Sequence, residues 1–203
     1  MQVNYDLQFD KIIKGLNSKP SLLLHVCCAP CASSVLERLA PYFNVTIYFY
    51  NPNITEREEY QLRLNELKRF VNEVYGDTIK IIEGDFEPEA FYDASRGLED
   101  ELERGLRCTE CFNLRLKSTA NLAKVGLYAY YCTTLTVSPH KNAQLLNEIG
   151  YKLEQEFGVK WLPSDFKKKQ GYIRSIELSK EHDLYRQSYC GCVFSRKLTQ
   201  KNG

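Results

Sequence analysis

The chain contains eight cysteines, and seven of them lie in three short groups. The groups are Cys27, Cys28 and Cys31; Cys108 and Cys111; and Cys190 and Cys192. A tetrahedral zinc ion takes four ligands, so seven grouped thiols exceed the need of one zinc site. A four-iron cluster held by four thiolates, with another role for the remaining thiols, fits the number better. Two zinc ions, or dithiol redox chemistry without metal, stay open as alternatives.

The spacing within each group limits what it can do. Cys108 and Cys111 form a CxxC pair that is predicted to begin a helix. The first-turn amides and the dipole of that helix should lower the pKa of both thiols. The CxC pair can give two ligands to one metal ion or form a strained, easily reduced disulfide. The role of Cys31 stays open. The eighth cysteine, Cys132, lies in a predicted strand and is interpreted as a structural thiol.

The elements that must position these groups follow from the alternation of apolar runs with helical patterns. Strands are predicted at 22–27, 44–50, 78–83, 127–132 and 159–162, and helices at 32–39, 55–75, 87–95, 108–124 and 143–157. Thr55 and Glu58 have the spacing of a capping box at the start of the second helix. This order predicts an α/β fold with a doubly wound, mostly parallel, Rossmann-like sheet and a basic, cysteine-containing C-terminal appendage.

Composition excludes several protein classes. Cysteine makes up about 4% of the 203 residues, below the level of a disulfide scaffold, and 26% of the residues are charged. No apolar run reaches the length of a membrane span, and charged residues interrupt the first 20 residues, unlike a signal peptide. We therefore expect a cytoplasmic protein that is neither secreted, membrane-spanning nor disordered, and whose thiols hold metal or do redox work.

The chain is predicted to form a single domain over 1–203. It comprises an N-terminal extension (1–20), a Rossmann-like core (21–163) and the basic appendage (164–203), which carries the CGC sequence. The net charge is only +1, but residues 165–201 contain nine basic and four acidic side chains. This imbalance is either a solvated basic face or a phosphate-binding surface.

In such sheets, ligands bind at the carboxyl ends of the strands. The first predicted strand ends in the CCAPC sequence, where a nucleotide-binding fold would have its phosphate loop. Neither GxGxxG nor GxxxxGK[ST] occurs there, so the usual phosphate-binding chemistry is absent from this sequence.

Five motifs in order make the chain resemble the QueH-type epoxyqueuosine reductases. They are LLLHVCCAPC, NPNI, RCxxCFxLRLxxTA, TTLxxSPHKN and GYxRSIELSKEHDLYRQSYCGC, which together extend over about residues 22–196. The resemblance implies a fold like that of tRNA-thiolating enzymes of the HUP/PP-loop type, with cysteines in place of the phosphate loop. It also implies the last step of queuosine biosynthesis, a cobalamin-independent, two-electron deoxygenation of epoxyqueuosine to queuosine in the anticodon loop of tRNA.

The resemblance further implies a 4Fe–4S cluster with an adjacent iron as a second metal. By motif, the cluster ligands would be Cys27, Cys28, Cys108 and Cys111. Cys190 and Cys192 would form a redox-active pair, able to close a disulfide, or would hold the second metal. No ordinary side chain stores two electrons, so a cluster with a dithiol or a second metal is a sensible supply. An external electron donor, which the sequence does not identify, is the further partner that we expect.

The reaction also needs a proton donor and a surface for tRNA. His25, His140 and His182 are candidate donors; with the CGC pair, His140 and His25 are the predicted catalytic residues. Basic residues of the appendage interleave with aromatic ones, as in RNA-contacting surfaces. The predicted RNA-binding residues are Lys167, Lys168, Lys169, Arg174 and Arg186.

Three other functions remain possible on this sequence. A zinc-stabilised RNA-binding module would use the same cysteines without catalysis, and would contain zinc and no iron. A cluster-dependent tRNA thiolase of similar fold would consume ATP, which the missing phosphate loop argues against. A thiol–disulfide oxidoreductase would turn over with no metal bound.

Overall fold

A computed structural model describes residues 3–196. Five parallel strands form one sheet in the order β3-β2-β1-β4-β5. They are β1 (Ser21–His25), β2 (Asn44–Phe49), β3 (Lys80–Glu83), β4 (Tyr130–Thr133) and β5 (Lys160–Trp161). The helices are α1 (Tyr5–Lys14), α2 (Ala29–Leu39), α3 (Arg57–Tyr75), α4 (Pro88–Ala94), α5 (Leu106–Val125), α6 (Ala143–Phe157) and α7 (Gly171–Glu181). The predicted α/β fold with a doubly wound, parallel sheet is confirmed.

The central strand, β1, is buried on both faces, which explains its continuous apolar sequence. Leu22, Leu23 and Leu24 are inaccessible to solvent. Leu24 lies in register with Ile47 of β2 on one side and Cys132 of β4 on the other. Because β1 is the central strand, its last residue lies at the middle of the carboxyl edge of the sheet.

Several predicted element boundaries are shifted by one to three residues, and three of the differences are informative. Helix α2 begins at Ala29 instead of residue 32, because the fixed φ of Pro30 suits the first helical turn. Glu56, not Thr55, is the N-cap residue of α3, and it makes no side-chain capping bond, so the predicted capping box is absent. The fourth strand begins at Tyr130 instead of residue 127. Leu127, which was predicted to begin this strand, has a φ of +55° and is 88% exposed.

Both predicted flanking segments pack against the core where the structure describes them. Phe9 of α1 is buried, and its ring meets that of Phe166 edge-on at 5.7 Å. Helix α7 packs against α2, and Arg174 donates to both carboxylate oxygens of Glu37 across this contact. Lys197 and Lys201, counted in the basic appendage, lie outside the described residues. None of the described helices is long and apolar enough to cross a membrane.

Candidate functional site

The first cysteine group forms a compact triad at the carboxyl edge of β1. The sulfur atoms of Cys27, Cys28 and Cys31 all lie within 4.8 Å of one another, and those of Cys27 and Cys28 are 3.7 Å apart. Cys28 is the extended N-cap residue of α2, whose side chain lies over the first helical turn, where Cys31 is located. The early start of α2 therefore brings all three thiols together, including Cys31, whose role the sequence left open.

The triad favours one thiolate. The pKa of Cys27 is lowered, first because the Cys28 and Cys31 thiols donate hydrogen bonds to it, and further because Lys141 and Arg115 are close. Together these effects outweigh burial, which alone would raise the pKa of Cys27. The pKa of Cys28 is raised to about 11, since its hydrogen bond favours the neutral thiol beside ionised Cys27. The side-chain amide of Gln187 also donates to Cys28 Sγ, at 3.1 Å.

A cavity of about 620 Å³ opens beside the triad. Cys27 and Cys31 of the triad line it, and so does Cys190. Its basic lining residues are Arg63, Arg115, Lys141, Arg186 and His140, and Glu103 is an acidic one. Two tyrosines, Tyr172 and Tyr189, also contribute to the lining. The lining therefore combines thiols, positive charge and aromatic rings.

A second cavity, of about 40 Å³, adjoins the first. It is lined by the remaining cysteine groups, Cys108, Cys111, Cys190 and Cys192. Cys190, His140 and Lys141 line both cavities. The structure thus brings all three predicted cysteine groups to neighbouring cavities. Within residues 3–196, the triad is the one group of three or more cysteine, histidine or acidic side chains with ligand atoms within 4.8 Å.

The thiols of the second group do not have the lowered pKa predicted from their place at a helix start. Cys108 and Cys111 do lie near the beginning of α5. Burial nevertheless raises the pKa of Cys108 and raises that of Cys111 to about 12, against the opposing effect of Arg115 on Cys111. Desolvation of the thiolate is therefore stronger here than stabilisation by the helix start.

All eight cysteines are free thiols, so the predicted disulfide between Cys190 and Cys192 is not formed in this structure. Gly191, between them, has a φ of +116°, which favours glycine. Cys192 is buried beside Ser195. Cys132 lies apart from the site in β4, inaccessible to solvent, as the interpretation of a structural thiol requires.

A buried polar network behind the cysteines was not predicted. Arg115 is only 1% exposed and donates to Asn51 Oδ1 at 2.6 Å and to His25 Nε2 at 3.3 Å. Its Nη1 also lies 3.9 Å from Cys111 Sγ. Arg115 follows Cys111 by four residues, so both lie on one face of α5, a spacing that was a usable signal in the sequence.

The three histidines occupy different environments. His25 is fully buried and lines neither cavity, and burial lowers its pKa to about 3, with Arg115 contributing in the same direction. His182 Nδ1 forms a hydrogen bond with Glu73 Oε1 at 2.7 Å, and His182 also lies outside both cavity linings. His140 lines both cavities, and its Nδ1 lies 3.2 Å from Arg104 Nη2.

The predicted RNA-binding residues have unequal positions. Arg186 lines the large cavity and donates to Ser179 Oγ. Lys167, Lys169 and Arg174 form ion pairs with carboxylates of the same chain. Lys168 is exposed.

Comparisons with known proteins were made with this geometry in hand. The family described as Epoxyqueuosine reductase QueH matches residues 22–198. A protein of Streptococcus pyogenes serotype M1 with that name is 42% identical over 203 residues, covering 97% of this chain and 80% of its own length. Proteins of the same name from Staphylococcus epidermidis and Thermotoga maritima are 45% and 34% identical. They match over 96% and 86% of this chain and over 85% and 90% of their own lengths.

Proposed function

This chain belongs to the family of QueH epoxyqueuosine reductases, and from that membership we propose that it reduces the epoxide of epoxyqueuosine in tRNA to give queuosine. One observation carries the proposal beyond family membership: six of the seven grouped cysteines line two adjoining cavities, and the seventh, Cys28, lies beside Cys27. The larger cavity, at about 620 Å³, is in the range of small-molecule sites of about 300–1,000 Å³. A volume of this size is sufficient for a nucleoside.

The donor set supports an iron–sulfur centre. Thiolates are soft ligands that suit iron–sulfur clusters. Two of the proposed cluster ligands, Cys27 and Cys28, already have their sulfur atoms 3.7 Å apart, and Cys108 and Cys111 line the adjoining cavity. In this proposal the ligands of a 4Fe–4S cluster are Cys27, Cys28, Cys108 and Cys111. Cys190 and Cys192 act as a redox-active pair or as ligands of an adjacent iron. When bound, these metals supply the two electrons, replenished by an external donor and without cobalamin.

The reaction balances with two electrons and two protons. Both bonds from carbon to the epoxide oxygen break, a carbon–carbon double bond forms, and the oxygen leaves as water. We assign proton donation to His140, because it lines both cavities while His25 lies behind them.

The remaining lining of the large cavity suits a nucleotide drawn out of an RNA loop. Arg186 and Lys141 carry positive charge that attracts phosphate, and Tyr172 and Tyr189 offer aromatic rings for base stacking. The exposed Lys168 is available for further backbone contact. We therefore propose that the anticodon loop of tRNA approaches the face on which this cavity opens.

The test is a single-turnover reaction without oxygen. Protein reconstituted with iron and sulfide is incubated with dithionite and tRNA containing epoxyqueuosine, and the nucleosides are analysed by mass spectrometry. Loss of one oxygen atom supports the proposal, whereas an unchanged nucleoside in the presence of an intact cluster refutes it. Stoichiometric zinc without iron favours the non-catalytic RNA-binding module instead. ATP-dependent sulfur insertion would identify a thiolase.

A further inference from the structure

One polar face of α3 holds the segment that leads to Cys190. Its residues follow one another at intervals of three or four, so they lie on the same side of the helix. They are Glu59, Arg63, Glu66, Arg69 and Glu73. The segment they contact, residues 182–190, is called the strap below. A face with this charge pattern would ordinarily be interpreted as solvated, but here it contacts backbone and side chains of the strap.

The outer contacts of the strap are exposed. Arg69 Nη2 donates to the carbonyl oxygens of His182 and Asp183 at 2.8 and 3.2 Å. Glu66 accepts from the backbone amide of Tyr185 at 2.8 Å. The side chain of Arg69 is 44% exposed, so water competes for these hydrogen bonds. These contacts fix the course of the strap along α3 only loosely.

The inner contact is buried. The Arg63 side chain is 2% exposed, and its Nε donates to Glu59 Oε1 at 2.7 Å. Nη1 and Nη2 donate to the carbonyl oxygens of Cys190 and Tyr189 at 3.1 and 3.4 Å. The guanidinium also lies 5.4 Å from the centre of the Tyr189 ring. One planar group therefore fixes two successive peptide units next to the thiol.

We propose that Arg63 is the positioning residue that holds the Cys190 thiol at the junction of the two cavities. A cysteine side chain has a single torsion before its sulfur, which leaves the sulfur only three staggered positions about an α-carbon that the backbone places. Arg63 determines the orientation of the peptide units on both sides of the Cys190 α-carbon. On the other side of this contact, a Cβ on Gly191 would come within 2.9 Å of Ile54 and 3.2 Å of Arg63 Nη1, so the backbone has little room to shift.

The importance of this placement for turnover rests on the proposed function, but the placement itself is testable without it. The probe is iodoacetamide, applied in pulses to the reduced, metal-free full chain, with alkylation of each cysteine followed by peptide mass spectrometry. Rates are normalised to the same cysteine in the unfolded protein. The variants are Arg63→Gln and, as the matched control, Arg69→Gln on the exposed part of the same face.

We expect Arg63→Gln to raise the alkylation rate of Cys190 by about tenfold, the effect of losing one hydrogen bond from a charged donor. Arg69→Gln should change it less than about twofold, because its contacts are exposed. Arg63→Lys keeps the charge but not the planar fork, so it should resemble Arg63→Gln. If Arg63→Gln does not fold, Arg63→Lys is used in its place. Circular dichroism verifies the fold of each.

The proposal is overturned if folded Arg63 variants alkylate Cys190 at the unaltered rate, or if Arg69→Gln has an equal effect. With the loaded enzyme, the Arg63 variants should lower kcat and leave KM for tRNA unchanged. A wild-type chain that fails to reduce epoxyqueuosine would refute the proposed function while leaving the alkylation result intact. The two failures are therefore distinguishable.

Discussion

Replacing Cys31 tests whether the triad is a metal site. A thiolate sulfur lies about 2.3 Å from the zinc ion that it binds. The sulfur atoms of two thiolates on one tetrahedral ion are therefore about 3.8 Å apart. The Cys27 and Cys28 sulfurs are already 3.7 Å apart, and Cys31 Sγ is within 4.8 Å of both. Closing this gap needs a movement of about 1 Å, which a side-chain adjustment supplies. The triad is therefore close to the geometry of three ligands to one ion.

The expected loss follows from the number of ligands. Structural zinc sites with four ligands bind with about 10–16 kcal/mol, or about 3 kcal/mol per ligand. Each 1.4 kcal/mol corresponds to about a tenfold change in affinity. Cys31→Ala should therefore weaken metal binding at the triad about 100-fold. Cys132→Ala removes a buried thiol that lies outside both cavity linings and should leave metal affinity unchanged.

Cobalt(II) is the probe, because its thiolate complexes absorb visible light. The metal-free chain is titrated with Co²⁺ without oxygen, and affinity and absorbance are compared among wild type, Cys31→Ala and Cys132→Ala. A parallel titration of Cys108→Ala identifies any binding by the second cysteine group. Unaltered affinity and an unaltered spectrum in Cys31→Ala would show that this thiol is not a ligand and would refute the reasoning from sulfur geometry.

Three further predictions concern the cysteines and the core. Cys108→Ala should remove the visible absorbance of the reconstituted cluster, measured against protein concentration and iron content. Cys190→Ala should abolish turnover in the tRNA assay yet keep much of that absorbance; a bleached variant would make Cys190 a cluster ligand. Gly150→Ala should destabilise the fold by about 3 kcal/mol and lower Tm by about 6–12 °C in calorimetry, because its Cβ would overlap the buried Trp161 ring. Gly15→Ala, whose Cβ would make ordinary contacts, should change Tm little.

The arrangement of the sheet was predictable because burial leaves a direct trace in the sequence. The continuous apolar run of β1 and the alternation of strands with helices predict a covered parallel sheet, and the structure has one. Element ends are less well determined by local pattern. Thr55 has the right spacing for a capping box, but its hydroxyl is buried and has no hydrogen-bond partner within residues 3–196, since the chain enters α3 one residue later.

The supporting residues of the site were not predictable in the same way. Arg63 and Arg115 are charged residues on helices, a type that is usually exposed, and only the tertiary structure shows both to be nearly inaccessible. The thiol pKa values show a similar limit. Helix position predicts a lowered value for Cys108 and Cys111, while burial, which no local pattern reports, raises both. Local sequence therefore predicted where the thiols lie, but not the burial that sets their pKa values.

The position of the triad follows from the electrostatics of the fold. The N-terminus of the helix after β1 is where related sheets bind phosphate, because free amides and the helix dipole favour negative charge. Here Cys28 is the N-cap residue and makes no side-chain capping bond, and Lys141 and Arg115 add positive charge near Cys27. Thiolates need the same stabilisation as a phosphate. Cysteines at this point of the sheet therefore use a charge environment that the topology already provides.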